Sequence, residues 1–459
     1  MVWDAFDSLV VEVLMSASHR IGFLVLIVVW TMTLPGLAGA QEGGEGAAEA
    51  APGARSEPEQ ATSWSLSARV RPRVEARFNH HFGLAADELN YGGQPDEADV
   101  FSQQTRVGLK VARGRLSGRL TLQHSAAWGD FGGDSLTAPP LALYQGWVRF
   151  EATETFFADV GRFELAYGDQ RVLGSVGWSQ VGRAWDGVRL GLRPGGGVAV
   201  DAFAARYQDG AGGFLDDDAY LSGVYASMGG MEAPLLREVD VYVLYDARLG
   251  REPSAEGAGD GAARRNLVML GSRLEGAAAD ARLTLEGGYQ LGSVCAPEAL
   301  ASARCQDEGA DIGAFFFDST LSYALGVFTP FVGFSLASGD DPESADVEAY
   351  NHLYPTAHAF MGYMDLIGAR TNIRELRAGL RFEGEGLNAE LVAHDFTRQQ
   401  PSTERVGLEI NAQVAARFGD GFSLGAGHGL FVPDQGVSNS EAAPQGVANW
   451  TYLQAVGSF

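Results

Sequence analysis

Residues 64–78 read WSLSARVRPRVEARF, and apolar and polar side chains alternate along them without interruption. Successive side chains of a β-strand point to opposite faces of the sheet, so one face of this strand is an apolar wall. The other face carries Arg69, Arg71, Arg73, Glu75 and Arg77. A strand of a transmembrane barrel needs an apolar face for lipid and a polar face for a wet lumen. We therefore predict a membrane barrel with a basic lumen.

The same alternation continues to the C-terminus and predicts an all-β fold, a transmembrane antiparallel β-barrel of about 18 strands. Long connections alternate with short ones, which is typical of long extracellular loops and short periplasmic turns. An even strand number places both barrel termini in the periplasm, and the final Phe459 is similar to the assembly signal of outer-membrane proteins. The long connection 338–372 contains Pro355 and an apolar run at 360–364, so we predict that it folds over or into the mouth as a lid.

The N-terminal region predicts export. Residues 21–34 are apolar, follow Arg20, and precede the small-x-small pattern at 38–40. This pattern predicts a signal peptide at 1–40, with Met15 as an alternative start, a disordered linker rich in Ala, Gly, Glu and Pro at 41–63, and a barrel at 64–459. The alternative is a membrane anchor helix, although the run is short for a span of about 20 residues.

The formal charge is −25, which argues against a nucleic-acid partner. Of the 33 basic residues only Lys110 is lysine. A GC-rich genome would explain this bias, but arginine forks also suit carboxylate and phosphate oxygens. Both explanations can hold together.

Strand parity assigns a set of cations to the lumen, and inward acids cluster on the ninth to eleventh strands. A lumen of about 18 strands is wide enough for water, so these cations predict a path that favours anions. In the alternative, the charges pair with one another and stiffen the wall. The predicted path residues are Arg69, Arg71, Arg73, Arg77, Arg106, Lys110, Arg119, Arg149, Arg189, Arg377 and Arg381.

Few other residues suggest chemistry. Cys295 and Cys305 are separated by nine residues, and in an exported protein they predict a disulfide that pins the sixth extracellular loop. Asp340 and Asp341 could ligate Ca²⁺ through carboxylate oxygens, although solvated loop tips are the favoured interpretation. We expect no other metal, no cofactor and no catalytic residues, so the chain is not interpreted as an enzyme.

Two stretches are more specific than the alternation. The first reads GRFELAYGDQRVLG at 161–174 and continues as GRAWDGVR at 182–189. The second carries SGDD at 338–341, LYPTAH at 353–358, GYMD at 362–365 and then Asn372. Both resemble the alginate-export family of outer-membrane porins, over about 64–459. The resemblance implies an 18-stranded barrel that passes an anionic polysaccharide through an arginine-lined lumen, but it does not identify the cargo.

Three functions remain open. The first is a porin of the cell outer membrane that exports an anionic, alginate-like polysaccharide, as a monomer supplied by a periplasmic scaffold of a secretion complex. The second is an anion-selective or general uptake porin for small solutes. The third is a structural or adhesive barrel with a plugged lumen. In each case outer-membrane lipid surrounds the barrel.

Overall fold

The computed structural model describes residues 61–79, 97–128, 141–208, 219–231, 235–249, 263–295, 309–368, 370–400, 404–434 and 446–459. The predicted signal peptide lies outside these ranges, as does all of the predicted linker except residues 61–63. Cys295 is buried at the end of its strand and is disulfide-bonded. Cys305 lies outside the described residues, so the pairing of the two cysteines stays a prediction.

Within the described residues, 18 strands form one closed antiparallel sheet in which each strand pairs with its neighbours in sequence and β1 pairs with β18. The predicted fold class is confirmed. The strands are β1 (Ser63–Phe78), β2 (Glu97–Arg113), β3 (Leu116–Ala127), β4 (Leu141–Glu151), β5 (Phe156–Phe163), β6 (Trp185–Gly195), β7 (Val198–Gln208), β8 (Ala219–Gly229), β9 (Leu236–Arg248), β10 (Arg264–Ala278), β11 (Ala281–Cys295), β12 (Ala310–Tyr323), β13 (Phe328–Ala337), β14 (Ile373–Gly384), β15 (Leu387–Arg398), β16 (Arg405–Phe418), β17 (Phe422–Pro433) and β18 (Ala448–Ser458).

The two faces of β1 follow the alternation of its sequence. Trp64 is 72% exposed on the outer face, whereas Arg71 is 2% exposed on the inner face. Large apolar side chains cover the outer face of the other strands in the same way, as Leu376 and Leu453 show. An apolar exterior of this extent is stable only against lipid, because exposed apolar patches of this size are rare on proteins in water.

Both termini lie at the same end of the barrel, where the start of β1 pairs with the end of β18, with Arg69 opposite Ser458. The tight turns lie at this end as well, for example between β2 and β3 and between β14 and β15. The long connections lie at the opposite end. Among the described residues, no helix is long and apolar enough to cross a membrane.

Two of the long connections occupy the lumen. We call the connection between β5 and β6 loop L3 (164–184) and the connection between β13 and β14 loop L7 (338–372). L7 contains a short 3-10 helix, Ala357–Ala359. Buried Leu173 of L3 and Met364 of L7 belong to one apolar cluster with wall residues such as Trp450. The hydrophobic core of this molecule therefore lies inside the barrel.

Candidate transport path

L3 and L7 form a single unit, which we call the plug. Their backbones meet in a parallel bridge between Leu173 and Tyr354. The N–H of Gly174 donates to the carbonyl of Tyr354 at 2.8 Å, and the N–H of Thr356 donates to the carbonyl of Gln170 at 2.9 Å. Residues 164–174 and 353–358 of the two family-like motifs therefore lie beside each other in the lumen, where they belong to the plug.

Buried ion pairs fix the plug to the wall of β11, β12 and β14. Arg171 of L3 is 7% exposed and lies 3.0 Å from Asp318 and 3.5 Å from Glu286. Arg370 of L7 lies 3.8 Å from Asp318, and Arg377 of β14 lies 2.8 Å from the same carboxylate. Because a buried charge is costly unless it is paired, these arginines neutralise the acidic wall. Neither Arg171 nor Arg370 lies in an alternating segment, which is why strand parity leaves both out.

L7 is also held by hydrogen bonds along its length. Asn351 and Gln290 of β11 exchange two hydrogen bonds, of 2.6 and 2.9 Å. The hydroxyl of Tyr354 donates to Asp246 of β9, and the N–H of Met364 donates to Glu409 of β16 at 2.9 Å. L7 therefore lies inside the mouth, as its length and apolar run predict. Whether it moves stays a prediction.

The predicted path cations fall into three groups, of which the first is paired with wall carboxylates. Arg149 and Arg189 share Asp159, at 2.7 and 2.6 Å. Arg377 also contacts Glu375, and Arg381 contacts Glu390 at 2.6 Å. Arg77 contacts Glu75 at 3.2 Å. For these residues the pairing interpretation describes the geometry.

The second group is Arg71 and Arg73, which are buried beneath L3. Arg71 donates to the carbonyls of Gly177 and Ser179, at 2.6 Å each. Arg73 donates to the carbonyl of Trp178 at 2.8 Å and also contacts Glu75. In this conformation both guanidinium groups hold the plug.

The third group, which we call the basic band, consists of Arg69, Arg106, Lys110 and Arg119. Arg69 lies directly opposite Arg106 on β1 and β2, and Lys110 lies directly opposite Arg119 on β2 and β3. Like charges in directly opposed positions destabilise a sheet. Within the described ranges no carboxylate forms an ion pair with any of the four. Lys110 and Arg119 lie near the end of the barrel that carries the termini and the tight turns.

Asp340 and Asp341 cap their own loop. A carboxylate oxygen of Asp340 accepts hydrogen bonds from the N–H groups of Glu348 and Ala349, at 2.7 and 2.6 Å. Asp341 accepts one from the N–H of Glu343 at 3.0 Å. The part of the chain that the structure describes contains no group of three or more His, Cys, Asp or Glu side chains that could hold a metal ion. Calcium binding here stays an untested prediction.

His352 of L7 predicts that the plug loosens in acid. Burial lowers the pKa of His352 to about 4, and Arg183 and Arg370 add to this effect. Below the ordinary pKa of about 6.5, His352 is protonated when L7 is displaced but stays neutral when L7 is buried in the lumen. The free energy that holds L7 in the lumen therefore falls by up to about 3 kcal/mol between pH 6.5 and 4. We expect more frequent channel opening at pH 4.5 than at pH 7 in single-channel recordings.

The matched variants for this test are His352→Gln and His124→Gln. The first should lose the acid response, because glutamine does not titrate. The second alters an exposed histidine of β3 and should keep it. An unchanged acid response in His352→Gln would assign the effect to another group.

A closed 18-stranded antiparallel barrel with an apolar exterior, a polar wall and inward-folded loops defines an outer-membrane porin, with both termini in the periplasm. The model of the alginate export family matches residues 65–430, and the chain belongs to this family. A comparison with curated proteins found no match. The family and the fold are those of transport porins.

Solved structures with a similar fold are also porins. Pseudomonas aeruginosa OccK9 (OpdG) is 13% identical, with a TM-score of 0.56, and the match covers 86% of this chain and 98% of that chain. P. aeruginosa OpdK with vanillate is 11% identical, with a TM-score of 0.57 and the same coverage of both chains. Acinetobacter baumannii OccAB2 is 10% identical, with a TM-score of 0.56, and the coverage is again 86% and 98%. At these identities the likeness is one of fold alone.

Proposed function

We propose that this porin exports an anionic polysaccharide of the alginate type. The observation that carries the proposal is the basic band, whose four cations lack carboxylate partners among the described residues. Lys110 and Arg119 lie toward the periplasmic end, and Arg69 and Arg106 lie between them and the wall residues that hold L3. A polymer that arrives from the periplasm meets this band first. Arginine forks offer paired donors to carboxylates, and several weak contacts let a polyanion slide without stopping at one unit.

Part of the negative charge of the chain is neutralised or lies far from the band. The carboxylates Asp318 and Glu375 are buried against arginines. Exposed acids such as Asp341 and Glu343 lie in the loop at the opposite end of the barrel. Charges farther away than the Debye length of about 8–10 Å are largely screened at physiological salt. A chain with a net charge of −25 can therefore hold an anion-selective path.

The proposal includes a monomeric barrel and a periplasmic scaffold that delivers the polymer. The second candidate is an uptake porin for small anions. What favours it is the plug, because the seated L3 and L7 fill much of the lumen and suit small solutes better than a polymer. The two candidates differ in the size and the direction of the preferred cargo.

We expect the reconstituted wild-type pore to prefer anions in a reversal-potential measurement under a salt gradient. A long polyuronate should reduce the current more strongly from the periplasmic side than from the extracellular side, and a neutral dextran of equal length should not. A pore that prefers cations would overturn the proposal. Anion preference without any effect of the polyuronate would favour small-solute uptake.

A further inference from the structure

Segment 177–181 of L3 lies along the wall of β1–β3 with its main-chain oxygens directed at wall donors. Besides the bonds to Arg71 and Arg73, Gln104 and Ser125 both donate to the carbonyl of Gln180, at 2.6 Å each. Gln123 donates to the carbonyl of Val181 at 2.8 Å. Five wall side chains thus accommodate five consecutive residues of backbone.

Three of these donors form a row across the sheet, which we call the donor row. Arg71 lies directly opposite Gln104, and Gln104 lies directly opposite Ser125. The row combines a guanidinium, an amide and a hydroxyl. This is the set of groups that a uronate unit needs, because its carboxylate accepts a paired fork and its hydroxyls bond to amides and hydroxyls.

The present partner of the guanidinium is a poor match for its charge. Arg71 is 2% exposed, and its guanidinium donates to two carbonyls and to the side-chain oxygen of Gln180. Its neighbours on the inward face of β1 are the cations Arg69 and Arg73, and Arg106 lies opposite Arg69 on β2. A buried cation is stabilised more by a carboxylate than by a neutral acceptor, since charge-assisted hydrogen bonds are about twice as strong as neutral ones.

The backbone on either side of the segment could act as a pair of hinges. Val176 has a φ of 55° and Gly182 a φ of 74°. A positive φ is strained for the β-branched Val176 and would relax if the segment moved. The preceding part of L3 is anchored separately, by the ion pairs of Arg171 and by the bridge at Leu173. Trp178 opposes release of the segment, because its ring stacks on that of His358 with 4.1 Å between the ring centroids.

We propose that the donor row is a uronate-binding subsite and that segment 177–181 occupies it as an internal pseudo-ligand. Carboxylates of the arriving polymer compete for Arg71, displace the segment and open the path. This inference rests on the proposed function. It adds that binding of the polymer itself displaces segment 177–181 from the wall.

The test is hydrogen–deuterium exchange of peptides that cover 175–184 in the reconstituted protein, with and without alginate oligosaccharides. We expect the oligosaccharides to increase exchange in this segment, whereas simple binding over the segment would decrease it. The same oligosaccharides after reduction of their carboxylates to alcohols should have no effect. Equal increases with both preparations would overturn the role of the carboxylate.

Two variants test the bonds that hold the segment and the groups that bind the uronate. Gln180→Ala removes the side-chain bonds to Arg71 and to Ser102 but keeps the wall donors. It should lower the half-maximal oligosaccharide concentration several-fold. Arg71→Gln removes two bonds to carbonyls of the segment and the partner of the carboxylate together, so it should raise exchange without ligand and abolish the ligand-induced increase. Gly177→Ala is the control, because a Cβ there would meet no atom within 4 Å.

Each variant is first checked for a folded barrel by heat-modifiable mobility in electrophoresis. The inference is wrong if, in both wild type and Gln180→Ala, the oligosaccharide does not increase the exchange of 175–184. If the bilayer measurements still show anion preference and a polyuronate effect, only the proposal of a uronate-binding subsite at the donor row is wrong. If those effects are absent as well, the proposed function fails with it.

Discussion

Removal of residues 345–365 from L7 is expected to raise single-channel conductance several-fold. The deletion removes Tyr350, Tyr354 and Met364, which fill the lumen and bond to the wall. It leaves the barrel strands intact, and their ladders do not depend on L7. The measurement is conductance in a planar bilayer at fixed salt.

The control is a deletion in the exposed part of L7, away from the residues that fill the lumen. Residues 342–346 form a mostly exposed tip, and their removal should leave the conductance unchanged. If a folded 345–365 deletion conducts like wild type, L7 does not limit the pore, and the constriction must lie elsewhere in the barrel.

Replacement of Arg69, Lys110 and Arg119 together by glutamate is expected to turn anion preference into cation preference. These three cations have no carboxylate partner among the described residues, so no ion pair within the wall neutralises their charge, and it acts on the lumen. Six units of charge change on one stretch of the wall should dominate the local field, because charges closer than the Debye length of about 8–10 Å are only weakly screened. The readout is the sign of the reversal potential under a salt gradient.

Arg374→Glu provides the control for charge reversal as such. Arg374 shares the parity of the exposed Leu376 and therefore lies on the outer face of β14. Its reversal should leave the selectivity unchanged. If the triple variant still prefers anions, the basic band does not set selectivity, and the buried Arg71 and Arg73 become the residues to test next.

The sequence alone was sufficient for the barrel, its strand number and the inward face of each clear strand. The reason is that a strand has a period of two, and lipid on one side and water on the other impose that period on the residues. The inward position of Arg71 and the outward position of Trp64 follow from this rule without any tertiary information. The length and the apolar run of L7 also predicted that it folds inward.

Only the tertiary structure decided which cations face an open path. Arg69 and Arg71 have the same parity on the same strand. Arg69 nevertheless belongs to the basic band, whereas Arg71 is buried beneath L3. Their difference comes from residues more than 100 positions away in the chain, at Gly177 and Ser179. Arg171 and Arg370, which neutralise the acidic wall, lie in loops that have no periodic pattern. Periodicity reports which way a side chain points, whereas its partner depends on how distant loops pack, and that is settled by three-dimensional contacts alone.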